Sequence, residues 1–491
     1  MRKAKNILIL QTDQHRWDCI GAYGNAEVKT PVMDALAKDG VRYNNCFCTH
    51  PVCTPSRYSF LSGQYVSRHG GWSNHCTLRP EISTFPGTLA QAGWQTAAVG
   101  KMHFTPTYLD VGFQRMCLAE QNGPGRWEDD YHAELMREGL VDKNDLIDQV
   151  EEFRADADED YFTSCGAMHS NLPDHFHSTS WIGRKALEAL SKWDARESNL
   201  LMVSFIKPHH PFDPPRSFLD RYDPEVLTPL AGWSDTLADM DSCLDEGFFP
   251  NRDLTKETLR RVMAAYYGAI SHIDQTVGDL IRCLKEQGLY EDTMIIVNSD
   301  HGEYMGFHHL LLKSNHLYDP LARVPLLIKY PGGDQAGGVH DGLFSSVDVT
   351  AEILTAAGVE VPESMAGIPI RQTPQGRARV VCEAGNGRRK MIRTRSHKLL
   401  LNGGICEDLF FDLDLDPLER INRLYDPGYR SIIEDLRQEA DRFGREQSGG
   451  YETLVDESAP QIKRPDISPE TLRTYFRNRM KSEPSALENT P

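Results

Sequence analysis

The chain lacks any long hydrophobic run. Nowhere do its apolar residues approach the roughly 18 unbroken positions of a membrane-spanning helix, so a membrane protein is not expected. Basic charge is also scarce: Lys and Arg number 53 against 71 Asp and Glu, a net charge of −18. Without a basic field there is nothing to displace the counterions of a nucleic-acid backbone, which argues against nucleic acid as a partner. An anionic small substrate remains compatible, provided local cations overcome the global field. Paired cysteine spacings are missing too. The 11 cysteines are scattered and odd in number, which in a reducing compartment most simply means free thiols. The start, "MRKAKNILILQTDQ", is basic like a signal segment, but its apolar run ends after four residues in an Asp-bearing stretch; we expect a cytoplasmic protein. No internal repeat is present.

What the chain does have is length and an even composition. Its 491 residues, 40% hydrophobic and 25% charged, suit a globular protein with a large core. Short continuous apolar runs end in polar residues at 6–13, 94–103, 200–210, 293–302 and 324–333. Unbroken rather than alternating runs suit strands covered on both faces of a largely parallel sheet. Helical patterns lie between them. "TPVMDALAKDG" opens with Thr30 and Pro31 and stops at Gly40, "FPGTLAQAG" is bounded by Pro86 and Gly93, and 258–288 is long and amphipathic.

Strand and helix in alternation predict an α/β fold with a large, mostly parallel sheet flanked by helices. From about 375 the pattern changes to short strands and turns, then a helix near 429–446, predicting a smaller C-terminal antiparallel α+β subdomain. The expected organisation is a catalytic α/β domain over 1–374, the subdomain over 375–446, and a tail over 447–491. The tail carries one helix opened by Ser468 and Pro469, and is either loosely packed or an arm for homo-oligomerisation.

In a parallel sheet the ligand site lies beyond the carboxyl ends of the strands. Asp13–Gln14, Lys101 with His103, Lys207 with His209, and Asp300–His301 all fall there. A strand-end Asp alone is most often a cap or turn former. Two such pairs, however, supply oxygen ligands and an imidazole, a set suited to Ca²⁺, Mg²⁺ or Mn²⁺. Buried together without a cation, the two carboxylates would repel. Lys101 and His103 are two residues apart in an extended segment and share a side, where they would bind an anion and move protons. His209 follows Pro208, which restricts its backbone; His210 is expected to face solvent. In "HGEYMGFHHLLLKSNHLYDP", Lys313 is the candidate cation, while His308 and His309 are either site residues or loop packing. His175 and His177 either line a pocket or precede a helix starting near Ser178.

Cys53 sits in "CTHPVCTPSRYSFLSG". Pro55 suits a helical first turn running to about Leu61, placing Cys53 at a helix N-terminus, where the dipole favours an anion and a reactive thiol. A buried apolar thiol is the plain alternative. A soft-metal site shared with Cys46 and Cys48 has no usual ligand spacing.

The run Cys53 to Arg57, "CTPSR", resembles the C-x-P-S-R signature of the type I sulfatases, a branch of the alkaline-phosphatase superfamily. "SRYSFLSGQY", "GKMHF", "PHHPF", "SDHGE" with the later lysine, and "RVPLLI" follow in family order, so the resemblance spans about 6–445. It implies that a maturase oxidises Cys53 to formylglycine, whose hydrate offers one hydroxyl to attack sulfur and another to lose its proton and expel sulfate. It further implies that Asp13, Gln14, Asp300 and His301, with residue 53, hold a divalent cation, usually calcium. Arg57 would orient the hydrate, Lys101 and Lys313 would bind sulfate oxygens, His209 would protonate the leaving oxygen, and His103 would take the proton when the intermediate collapses. Many sulfatases carry Asp-Asp and Asp-Asn where this chain has Asp13–Gln14 and Asp300–His301. The latter pairs also occur in phosphonate monoester hydrolases and choline sulfatases. A sulfate ester hydrolase acting on a small anionic ester is therefore expected, with a phosphonate monoester or phosphodiester hydrolase as the alternative and a catalytically silent relative as a third reading.

Overall fold

The computed structural model describes residues 2–155, 157–243, 249–313 and 316–481. In chain order the strands of the large sheet are β1 (Asn6–Asp13), β2 (Val41–Phe47), β3 (Gln95–Gly100), β4 (Arg115–Leu118), β5 (Asn199–Pro208), β6 (Thr293–Ser299), β7 (Arg323–Val324), β8 (Leu326–Lys329) and β9 (Gly338–Ser345). Their order across the sheet is β4-β3-β5-β1-β6-β8-β2-β7, with β9 also paired to β2. The β4-β3-β5-β1-β6 run is parallel throughout, and antiparallel pairs enter at β8 and β7. A mostly parallel sheet flanked by helices is what the apolar runs predict.

Why these runs are unbroken becomes clear from where alternate residues go. Ile7 and Ile9 of β1, Leu200 and Met202 of β5, and Met294 and Ile296 of β6 enter one core. Leu8 and Leu10, Leu201 and Val203, and Ile295 and Val297 enter the core on the opposite face. A strand with two dry faces has no room for polar alternation. At roughly 1.5–3 kcal/mol for each large side chain buried, these three strands anchor everything hung on them.

The second core is closed by the Ser178–Leu190 helix, through Trp181, Ile182, Ala186 and Leu190, and by the long Lys256–Glu286 helix, through Ile273, Val277, Leu280 and Leu284. The first is closed by Tyr58, Phe60 and Leu61 of the Cys53–Ser62 helix and by Val349, Ile353 and Leu354 of the Ser346–Ala357 helix.

A separate antiparallel sheet follows: β10 (Val380–Ala384), β11 (Arg389–Arg393), β12 (His397–Leu401) and β13 (Leu409–Asp412). One face, with Val380, Cys382, Met391, Leu400 and Phe411, joins the first core. The other, with Val381, Ile392, Leu399 and Phe410, is covered by Ile433, Leu436, Ala440 and Phe443 of the Arg430–Glu446 helix. Arg393 and Lys398 reach Asp319 at 3.1 and 2.8 Å, tying this sheet to the segment before β7.

The cysteines do not all remain thiols. Cys243 and Cys406 are joined in a disulfide, correcting the expectation drawn from their scattered spacing. Sequence separation of 163 residues hides such a pair from any local pattern. Cys46 and Cys48 are buried thiols in the apolar core.

The tail helix forms at Pro469–Lys481; residues 482–491 of the tail lie outside the described residues. Leu472 and Phe476 enter the second core beside Trp181 and Leu135, and Phe476 is 0% exposed. Replacing this ring should cost about 3–5 kcal/mol of local stability. Phe476→Ala is therefore expected to expose 449–468 to limited proteolysis while the sheet stays resistant; unchanged cleavage kinetics would refute this packing.

Candidate active site

The adjacent strands β3, β5, β1 and β6 end side by side, and the residues just beyond them converge. Asp13 closes β1, Lys101 and His103 follow β3, His209 follows β5, and Asp300 and His301 follow β6. Cys53 arrives from the first-core side as the first residue of the Cys53–Ser62 helix, which Gly63 ends with φ 63°, the left-handed conformation that favours glycine. Every residue of this helix is buried, polar ones included. The polar groups have partners: Ser56 Oγ donates to the Asp300 carbonyl at 2.6 Å, Thr54 Oγ1 to the His103 carbonyl at 2.8 Å, and Ser62 Oγ to the Tyr58 carbonyl at 2.7 Å. The helix is thus bonded to the ends of β3 and β6.

Arg57, one turn beyond Cys53, is the junction. Its Nε donates to Asp300 Oδ2 at 2.9 Å and its Nη2 to Asp13 Oδ2 at 3.0 Å, while Nη1 donates to the Lys101 carbonyl and Ser204 Oγ at 2.7 and 2.8 Å. Lys101 Nζ adds a second cation 2.9 Å from Asp13 Oδ2. Buried charges of this kind are tolerable only when paired on all sides.

Around the thiol, Lys313 Nζ lies 3.2 Å from Cys53 Sγ and 3.2 Å from His301 Nε2. His301 Nε2 and Asp13 Oδ1 are 3.3 and 3.6 Å from the sulfur. Burial and Asp13 push the thiol up, but Lys313, Lys101 and His301 more than offset them and bring it to about 6. Burial also raises the Asp13 carboxyl, yet the cations Lys101, Arg57 and Lys313 hold it well below the usual carboxylate range. Asp300 is raised by burial and by Asp13.

Asp13, Cys53, Asp300 and His301 each present a ligand atom within 4.8 Å of the others. His301 Nδ1 is hydrogen-bonded to the Gly302 carbonyl at 2.9 Å, which leaves Nε2 toward the cluster. Burial and Lys313 push this imidazole down, while Asp300 and Cys53 outweigh them and raise it to about 9; the surrounding negative charge that retains a proton there would equally attract a metal. Gln14 donates its amide nitrogen to Glu303 Oε2 at 2.5 Å, and its buried Oε1 has no hydrogen-bond partner among the described residues. Carboxylates, an amide oxygen and one imidazole fit a divalent cation of the hard or borderline kind.

His103 and His209 are both neutral. Burial, with Lys101 and Arg57, holds His103 well below its usual value, and neither of its ring nitrogens has a hydrogen-bond partner among the described residues. Burial, Lys313, His210 and Lys101 do the same for His209, whose Nδ1 is bonded to the His210 carbonyl at 2.6 Å.

Other strand-end residues have different roles. Lys207 turns to Asp213 at 2.5 Å and the Pro211 carbonyl at 2.6 Å. His210, expected in solvent, is 3% exposed, with Nδ1 2.6 Å from Asp148 Oδ2; the insertion 120–170 folds over it. His308 and His309 bond the Leu418 and Ser234 carbonyls, and His177 accepts from Thr179 N at the start of the Ser178–Leu190 helix. Sequence reasoning missed Glu303, which orients Gln14, although it stands in the same "SDHGE" run. It also missed Glu120, which accepts from the backbone N–H groups of Met102 and His103 at 2.8 and 2.9 Å, and Gln121, whose Oε1 lies 3.3 Å from Lys101 Nζ. Both follow β4, so the strand-end rule would have found them had that short strand been recognised.

The "Sulfatase" family model matches residues 5–359. The chain is 29% identical to an arylsulfatase of Clostridium perfringens over 462 residues, covering 88% of this chain and 93% of that protein. It is 31% identical to a choline-sulfatase of Rhizobium meliloti over 446 residues, covering 86% and 83%. Among solved structures, the phosphonate monoester hydrolase of Agrobacterium radiobacter superposes with a TM-score of 0.75 at 22% identity, covering 90% of this chain and 96% of that one. The chain belongs to the sulfatase family of the alkaline-phosphatase superfamily and is a sulfuric ester hydrolase.

Proposed function

We propose that the protein hydrolyses a small anionic sulfate ester through a formylglycine made from Cys53 by a maturase, with a divalent cation, most simply Ca²⁺, held by Asp13, Gln14, Asp300 and His301 beside residue 53. The observation that carries this reading is the ring around Cys53 Sγ: Lys313, His301 and Asp13 within 3.2–3.6 Å at the start of a buried helix. A hydrated aldehyde at that position would supply the nucleophile and the cation would act as Lewis acid.

The chain's own side chains do the rest. Lys101 and Lys313 bind sulfate oxygens where charge develops, and Arg57 keeps Asp13 and Asp300 in register. His209 protonates the leaving oxygen: its low proton affinity would rise once the anionic ester is bound nearby. His103, neutral and unpartnered, accepts the proton released at residue 53 in the second half of the cycle. Mg²⁺ or Mn²⁺ would fit the same ligand types. A cytoplasmic enzyme of this design would meet small imported esters; no helix among the described residues is long and apolar enough to cross a membrane.

A second reading, hydrolysis of phosphonate monoesters or phosphodiesters, is favoured by the Agrobacterium structural likeness and by the His301 ligand. Protein co-expressed with a formylglycine maturase is expected to show the aldehyde at residue 53 by peptide mass spectrometry, and to cleave nitrophenyl sulfate faster than phosphonate or phosphodiester analogues. The reverse preference selects the second reading, and an unmodified thiol beside a converted control sulfatase rejects formylglycine. Cys53→Ala should lose at least about 10³-fold in kcat; activity equal to wild type would revive the silent-relative reading. Chelation with EDTA should abolish turnover and lower the melting temperature, with Ca²⁺ restoring both.

Arg57→Ala leaves two buried carboxylates without their guanidinium and should cost about 3–5 kcal/mol. Arg57→Lys keeps the charge but cannot span both acids, and should recover only part of it. Urea midpoints equal to wild type would show that the two carboxylates do not depend on Arg57.

A further inference from the structure

Outside the active site, a second group of ligating side chains meets where three distant segments join. Cys243 lies just after the short turn at Asp239–Asp241, Cys406 lies between β12 and β13, and His316 lies three residues after Lys313. Their ligand atoms are within 4.8 Å of one another. His316 is 1% exposed. Its Nε2 bonds the Met240 carbonyl at 3.0 Å, while Nδ1, beside the Asn402 side chain, has no partner of hydrogen-bonding geometry among the described residues. In the structure the two sulfurs are bonded to each other.

We propose that, when reduced, Cys243 and Cys406 form with His316 a three-ligand site for a soft or borderline divalent cation such as Zn²⁺. Two thiolates and an imidazole are the donor set such ions prefer. With Cys243 exposed, the fourth position is open to water. The active-site cluster offers chiefly oxygen ligands, so the two centres would select different cations. The step balances with a dithiol as reductant. It delivers two electrons and two protons, the S–S bond breaks, two thiols form, and the reductant closes to a cyclic disulfide. Metal binding then releases both thiol protons as two metal–sulfur bonds form. The disulfide ties the 239–243 turn to the loop between β12 and β13, and a metal would add His316 to that junction. The proposal does not depend on which ester the enzyme cleaves.

The test uses full-length Cys53→Ala protein, so that the active site contributes no thiolate. Reduced with a dithiol, freed of it without oxygen and titrated with Co²⁺, it should bind one equivalent that shows sulfur-to-metal charge-transfer absorption. The band should be absent from the disulfide form, lost in Cys243→Ser and in Cys406→Ser, and weakened about tenfold or more in His316→Ala. Co²⁺ should also protect Cys243 and Cys406 from alkylation in protein carrying no substitution at the site. Absence of the band after reduction, its survival in both cysteine variants, or equal alkylation with and without Co²⁺ would overturn the proposal.

Discussion

The structure depends on one guanidinium. Arg57 touches Asp13 at the end of β1, Asp300 beyond β6, the Lys101 carbonyl beyond β3 and Ser204 within β5, so a single side chain gathers the ends of four strands beneath Cys53. Two carboxylates about 4 Å apart at an intermediate effective dielectric would repel by on the order of 4 kcal/mol, and burial adds a desolvation cost to each. Arginine suits this place because its planar fork reaches both acids at once; a lysine's point charge does not.

The same arrangement reverses the local field. The whole chain carries a net charge of −18, yet Arg57, Lys101 and Lys313 cluster beside Asp13 and Asp300 at the strand ends, and a divalent cation would add further positive charge. Under the proposed function, a sulfate approaching along the strand ends would meet these cations. Fold and catalysis would then be linked, because the charges that make the strand ends compatible with burial would also receive the anion.

Much of this was legible because parallel strands announce themselves twice, by unbroken apolar runs and by the polar residues that end them. Asp13, Lys101, His209 and Asp300 could be placed at one edge of the sheet with no knowledge of pairing. The Cys53 helix was legible from Pro55. What escaped depended on tertiary contacts. His210 reads as a loop residue until Asp148, from an insertion with no strong periodicity, packs over it. Cys243 and Cys406 are joined across 163 residues, and Glu120 acts through backbone N–H groups that no side-chain pattern reveals.

Cys53 is 1% exposed, and its surroundings are completed by parts of the chain synthesised last. Glu383 N of β10 bonds the Thr49 carbonyl at 2.8 Å, and Tyr451 N bonds the Arg68 carbonyl at 3.0 Å, closing the tail against the loops on either side of the Cys53 helix. Under the formylglycine reading, a maturase acting on the finished fold would find this cysteine buried. Access to residue 53 would then be a matter of timing, open as 48–63 leaves the ribosome and closed once the C-terminal sheet docks, so folding would compete with maturation.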